Sequence, residues 1–168
     1  MDLSSNLTAQ SLINNLSYDE LAEIFFKYGE ERYSKRIASR IITERKKGSI
    51  QTTDELVKVI KKAIPLRRYR MHPATKVFQA LRIAVNNELE NLSDAITHGF
   101  GLLKKEGRMC IISFHSLEDR IAKNKFREFK MNGQAKIITK KPLTPTREEI
   151  DRNIRSRSAK LRVVEKTQ

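Results

Sequence analysis

His115 and Ser116 stand where an apolar run ends and a helical pattern begins, with Ser113 just before them and Glu118 and Asp119 just after. The run Arg108–Phe114 carries Met109, Cys110, Ile111, Ile112 and Phe114 and reads as a buried strand. Ser116 has the side chain of an N-cap, and the two acids complement a positive helix end. A histidine at such an end is biased toward the neutral imidazole, which donates one hydrogen bond. In α/β proteins, ligands sit beyond the carboxyl ends of the strands, and His115 and Ser116 fall there. An ordinary, well-capped βα turn has the same local pattern, so the stretch marks either a site or a turn.

Thr75, Gln79, Arg82 and Asn86 recur at helical spacing beside an apolar stripe of Phe78, Leu81, Val85, Leu89 and Leu92. A solvated face normally carries Lys and Glu. This one is amide-rich and centred on one arginine, whose fork fits a phosphate bidentately. Buried amides need hydrogen-bond partners, so the stripe either lines a site or pins the helix to a neighbouring loop. Arg82 has the alternative task of neutralising a buried carboxylate. Between these regions and the N-terminal helices lies Leu66–His72, in which Arg67, Arg68 and Arg70 surround Tyr69. Arginine for phosphate and tyrosine for stacking suit nucleic-acid contact; a solvated linker has the same composition.

The elements that must carry these groups follow from periodicity and punctuation. Ser17 and Glu20 form a capping box ahead of Leu21, Ile24, Phe25 and Tyr28, and Gly29 stops that helix. A second helix is expected over about 31–47. Thr52 and Glu55 open a third, which Pro65 ends. A long helix is expected over about 74–91 and another over 93–103, followed by the 108–114 strand and a helix over 117–130. Strands over 136–140 and 160–165 flank Pro142, Pro145, a helical turn at 148–151 and a basic loop at 153–158. Three strands are few for an open α/β sheet, so the sheet reads as half of a larger one.

Of the 168 residues, 39% are apolar and 32% charged, and 34 Lys and Arg against 20 acids give a net charge of +14. Phosphate-rich partners are the first explanation of that excess, an anionic membrane surface the second. No apolar run is long enough to span a membrane, and no metal site is expected. Cys110 is the single cysteine; with no signal-peptide pattern at the start, it points to a reducing, cytoplasmic setting.

The stretch from His72 through Ala74, Thr75, Phe78, Gln79, Arg82 and Asn86 resembles the signature helix of the MraW-type methyltransferases, the small-subunit rRNA (cytosine-N4) methyltransferase H family. The 112–120 strand–turn–helix, the 153–162 ending and the 20–36 helical segment resemble the same family, in order along the chain. The resemblance implies an S-adenosylmethionine-dependent enzyme that methylates the N4 of a cytidine in the decoding region of 16S rRNA. It further implies an α/β fold: the C-terminal half of a class I, Rossmann-like methyltransferase sheet (71–168), preceded by an all-α helical insert for substrate recognition (1–70). The family's glycine-rich cofactor loop and the catalytic motif beside the reacting amine have no counterpart here. This part is therefore expected to be inactive by itself and to have the missing N-terminal half of the enzyme as partner, alongside 16S rRNA and the small ribosomal subunit. Arg82 and His115 are expected to face one crevice, with Ser113 and Ser116 at its rim, and to position the RNA nucleotide rather than act as base; Gln79 is a further RNA-binding candidate. The alternative is a non-catalytic basic RNA- or ribosome-binding module derived from that half.

Overall fold

The computed structural model describes residues 7–65 and 72–168. They divide into two compact units, Met1–Glu88 and Leu89–Gln168.

The first unit is helical: α1 (Ala9–Asn15), α2 (Tyr18–Lys27), α3 (Ser34–Arg45), α4 (Thr53–Ala63) and α5 (Thr75–Asn86). Reciprocal capping boxes, Thr8 with Ser11, Ser17 with Glu20 and Thr52 with Glu55, start α1, α2 and α4. Each pairs two otherwise orphaned N–H groups. Helix α1 was not expected from the sequence; it buries only Leu12 and Ile13, too few for a periodic stripe. Helix α3 starts later than position 31 because Glu31 is buried and its carboxylate accepts the Tyr33 N–H at 2.9 Å, holding a turn. Leu21, Phe25, Ile37, Ile41 and Ile60 are fully buried in one core with Val77, Ala80 and Leu81 of α5. Each large apolar side chain so buried contributes roughly 1.5–3 kcal/mol. Because α5 packs on α2 and α1, the compact helical unit extends through Glu88.

The expected 74–91 helix is two helices. Asn87 takes the left-handed conformation (φ 50°, ψ 38°) and ends α5, a place asparagine accepts more readily than most residues. Helix α6 (Glu88–Leu102) follows.

The second unit holds β1 (Arg108–Ser113), α7 (Ser116–Met131), β2 (Ala135–Ile137), α8 (Arg147–Arg152), a 3₁₀ turn (Ile154–Ser158) and β3 (Lys160–Lys166). The basic 153–158 segment is thus a 3₁₀ turn, with Ser156 buried beneath it. The strand order is β1-β3-β2, and β3 runs antiparallel to both neighbours. Ile96 and Phe100 of α6, Phe126 and Phe129 of α7 and Val164 of β3 form the core on one face of the sheet. Phe100 and Phe129 stack at 4.0 Å. Strand β1 is not buried on both faces as expected. Met109 and Ile111 turn toward the core, while Cys110 is exposed and Ile112 is 60% exposed.

Candidate functional site

The strand–turn–helix corner of the second unit is built around one carboxylate. Glu118 Oε2 accepts the N–H of Phe114 at 2.7 Å and of His115 at 3.3 Å, and the Glu118 N–H donates to His115 Nδ1 at 3.4 Å. His115 is therefore the N-cap of α7. This corrects the reading of Ser116, which is the first helical residue. An accepting Nδ1 places the proton of the neutral ring on Nε2. Nε2 is buried 3.3 Å from Glu118 Oε1, an ion-pair distance when the ring is protonated, and has no hydrogen-bond partner by strict geometry among the described residues. Burial raises the Glu118 pKa, but the imidazole and the Phe114 and His115 N–H groups outweigh it and hold the carboxyl below its usual value.

Ser113, next to this turn, is buried, and its Oγ donates to the Lys160 carbonyl at 3.4 Å. It ties β1 to β3. The same helix turn carries a second ion cluster that sequence reading missed. Arg162 Nε and Nη2 donate to Asp119 Oδ1 and Oδ2 at 2.6 and 3.2 Å, and Lys160 Nζ stands 3.6 Å from Oδ2. Only strand alternation could have revealed it: Arg162 shares the inward face with Val164, where an arginine needs a partner.

The amide stripe resolves differently. Gln79 Nε2 donates to the Tyr28 carbonyl at 3.1 Å, and Lys76 Nζ to the Glu30 carbonyl at 2.8 Å. These bonds pin α5 to the turn after α2. Gly29 makes the approach possible: a Cβ there would meet the carbonyl oxygens of Lys76 at 2.6 Å and Phe25 at 2.7 Å. Arg82 pairs with Glu88, Nε to Oε1 at 2.9 Å and Nη2 to Oε2 at 3.0 Å, and Asn86 Nδ2 donates to the same carboxylate at 3.2 Å. The Arg82 side chain remains 54% exposed. Arg82 lies in the first unit and His115 in the second, and the contacts that define each are local to its own unit. Arg67, Arg68, Tyr69 and Arg70 lie outside the described residues.

Among the described residues, the grooves on the helical unit include one of about 350 Å³ lined by Leu12, Leu16, Ile24 and Tyr28 with Glu20, Glu23 and Lys27. Another, of about 450 Å³, is lined by Tyr18, Lys35, Arg36, Ser39, Arg40 and Lys62 among others. Among the described residues no group of three or more His, Cys, Asp or Glu could hold a metal ion, and no helix is long and apolar enough to cross a membrane.

Comparison with known proteins places this architecture. Residues 1–167 match the MraW methylase family. The chain belongs to that family. It is similar to proteins named Ribosomal RNA small subunit methyltransferase H: 54% identical over 168 residues to that of Desulfotalea psychrophila and 51% identical over 168 residues to that of Persephonella marina. A third, from Sulfurihydrogenibium azorense, is 50% identical over 165 residues. The match takes in 99% of this chain but 56% and 57% of the first two relatives, so the chain spans little more than half the length of these family members.

S-adenosylmethionine, implied by the resemblance, calls for a glycine-rich turn between a strand and a helix that lets backbone approach the ligand. Gly107 precedes β1 and Gly133 follows α7, while the β1–α7 turn carries no glycine and gives its Phe114 and His115 N–H groups to Glu118. The described residues do not form a cradle for that cofactor.

Proposed function

We propose that this chain is the substrate-side part of an S-adenosylmethionine-dependent methyltransferase that modifies the exocyclic N4 of a cytidine in 16S rRNA. One observation carries the reading: nearly the whole chain fits the MraW family, and the relatives bear the name of a small-subunit rRNA methyltransferase. The net charge of +14 supports an RNA partner, and the lone, exposed Cys110 is at home in a reducing cytoplasm. The second unit is the C-terminal half of a class I, Rossmann-like sheet, and the helical unit is its inserted substrate-recognition domain. Support for the half-sheet comes from β1, which among the described residues pairs only with β3 and presents Ile112 and Cys110 on an exposed face. An edge and an apolar face of this kind call for further strands and a covering layer.

The amine of cytosine is conjugated with its ring and is a poor nucleophile. Transfer needs it held in line with the methyl group and its proton accommodated. In this reading His115 Nε2 donates to the RNA nucleotide, Arg82 holds a phosphate by exchanging Glu88 for it, and Ser113, Ser116 and Gln79 keep the supporting turns in place. The cofactor and the catalytic groups belong to the portion of the relatives that this chain does not span, and the chain by itself does not transfer methyl groups.

The test is complementation. The chain is assayed alone and together with the N-terminal portion of a relative, with labelled S-adenosylmethionine and small ribosomal subunits. N4-methylcytidine is expected only in the mixture. Methylation by the chain alone refutes the division of labour, and a modified base other than cytidine refutes the substrate. A second reading, a non-catalytic RNA-binding module, is favoured by the lack of a cofactor cradle among the described residues. It predicts salt-sensitive RNA binding by the chain and no product in any mixture.

A further inference from the structure

We propose that the groove between the start of α2, the middle of α3 and the end of α4 is a binding site for the phosphate backbone of single-stranded RNA, with Tyr18 as a stacking platform for a base. The proposal rests on the RNA reading above and assigns it a place on the helical unit.

Lys35, Arg36, Arg40 and Lys62 line this groove, and no carboxylate does. The apolar groove of the same unit is lined by two acids and one lysine, Glu20, Glu23 and Lys27, so the excess of cations here is a local property and not the general charge of the surface. Solvated lysines and arginines on helices usually pair with acids one turn away. Here Lys35, Arg36 and Lys62 form no ion pair within 4 Å among the described residues, although Lys62, like Arg40, is near enough to Glu44 to help lower its carboxyl pKa. Arg40 gives Nη2 to Glu44 at 2.9 Å, which fixes its guanidinium, while its Nε is buried and has no partner among the described residues. The Arg40 side chain as a whole is 39% exposed and adds its charge to the groove. Arg36 lies 5.8 Å from the centroid of the Tyr33 ring, which Arg32 approaches more closely, at 4.6 Å. Ser39 adds a hydroxyl to the lining. Tyr18 is 37% exposed at the same groove. Cations tracking a backbone beside an exposed ring are the pattern of sequence-tolerant single-strand binding. At about 450 Å³ the groove has the size of a pocket for a small ligand, enough for a phosphate and part of its nucleoside.

The experiment measures binding of the full chain to a fluorescent single-stranded RNA of about twenty nucleotides across a salt series. Each phosphate contact adds about 0.7 to the log–log salt slope. The triple variant Lys35→Gln, Arg36→Gln, Lys62→Gln keeps the Arg40–Glu44 pair and so the fold. It is expected to bind at least tenfold more weakly and to lower the slope by about 2. A control removing the same charge from Lys123, Lys136 and Lys140 should leave affinity within about twofold. Arg40→Lys keeps the charge but not the planar guanidinium fork and should weaken binding severalfold with the slope nearly unchanged. Tyr18→Ala should do the same. Equal losses in the triple variant and the control, or no loss in the triple variant, overturn the groove while leaving RNA binding itself intact. Absence of RNA binding by the unaltered chain overturns the RNA reading as well, and tighter binding of poly-glutamate than of RNA assigns the groove to an acidic protein surface instead.

Discussion

Arg162 and Asp119 join strand β3 to the first turn of α7 through two parallel hydrogen bonds of 2.6 and 3.2 Å. Both side chains are largely buried, 8% and 14% exposed. Removing one partner strands the other charge away from water. Asp119→Ala is expected to cost the second unit about 2–3 kcal/mol, seen as a lower urea midpoint. Replacing both, Asp119→Leu with Arg162→Met, should cost less than either single change, because no unpaired charge remains. A double variant as unstable as the sum of the singles would refute this.

The same pair sets an acid limit. The Arg162 hydrogen bonds hold the Asp119 carboxyl below its usual value, against the opposing effect of burial and with help from Lys160. A carboxyl depressed in the folded state contributes stability in full above its unfolded value of about 4, and that contribution disappears as pH falls through the lower folded value. Unfolding midpoints of the unaltered chain should therefore drop on going from about pH 5 to about pH 2. The Asp119→Asn variant should be less stable at neutral pH and show a shallower drop. Parallel pH profiles for the two proteins would sink the assignment.

Gly29→Ala tests the seat of α5. The new Cβ would lie 2.6 Å and 2.7 Å from two backbone oxygens, neither of which can swing aside as a side chain would. Overpacking of this kind costs about 1–3 kcal/mol, and the Gln79–Tyr28 hydrogen bond should be lost with it. Gly48→Ala is the control, since nothing lies within 4 Å of its added carbon. It should change stability by less than about 0.5 kcal/mol.

The capping boxes at Ser17 and Thr52 and the apolar stripes behind them were legible in the sequence because they are local: cap, acid and stripe sit within two turns. So were the positions of β1, α7 and β3, whose apolar patterns switch period at Phe114 and Ala159. What failed to show was long-range. Asn87 carries a local stop signal, but Leu89 and Leu92 continue the stripe of α5 in register and outweigh it in the sequence pattern. The burial of Arg162 depends on its facing Asp119 across the unit, a pairing that local spacing does not encode. His115 displaced Ser116 as N-cap because an imidazole Nδ1 accepts the Glu118 N–H as a serine hydroxyl would, and cap preferences favour the serine. The basic groove joins residues from three helices, and only the fold brings Tyr18, Arg36 and Lys62 to one surface.

Arg67, Arg68 and Arg70 are expected to contribute to the RNA salt dependence separately from the groove. Replacing the three with Ala should lower the slope by up to about 2, at about 0.7 for each contact. Tyr69→Ala should weaken binding without altering the slope, because stacking releases no counterion. An unchanged slope in the triple variant would remove this segment from the interface.

His115 has two separable tasks, and one substitution separates them. Its Nδ1 caps α7, and its Nε2 is buried 3.3 Å from Glu118 Oε1 with no hydrogen-bond partner among the described residues. Asparagine is among the best N-caps, so His115→Asn keeps an acceptor for the Glu118 N–H but removes the Nε2 donor. His115→Ala removes both and should cost about 1 kcal/mol of stability through the cap alone. In a complemented methyltransferase, His115→Asn is expected to keep the unfolding midpoint and the affinity for S-adenosylmethionine. Its methyl transfer to RNA should fall by about tenfold, equivalent to about 1.4 kcal/mol at the transition state. The Asn variant transferring at the unaltered rate while the Ala variant loses activity in step with its stability would show that capping is the whole role of His115. A collapse of cofactor affinity in the Asn variant, with RNA binding unchanged, would instead place the residue on the cofactor side of the reaction.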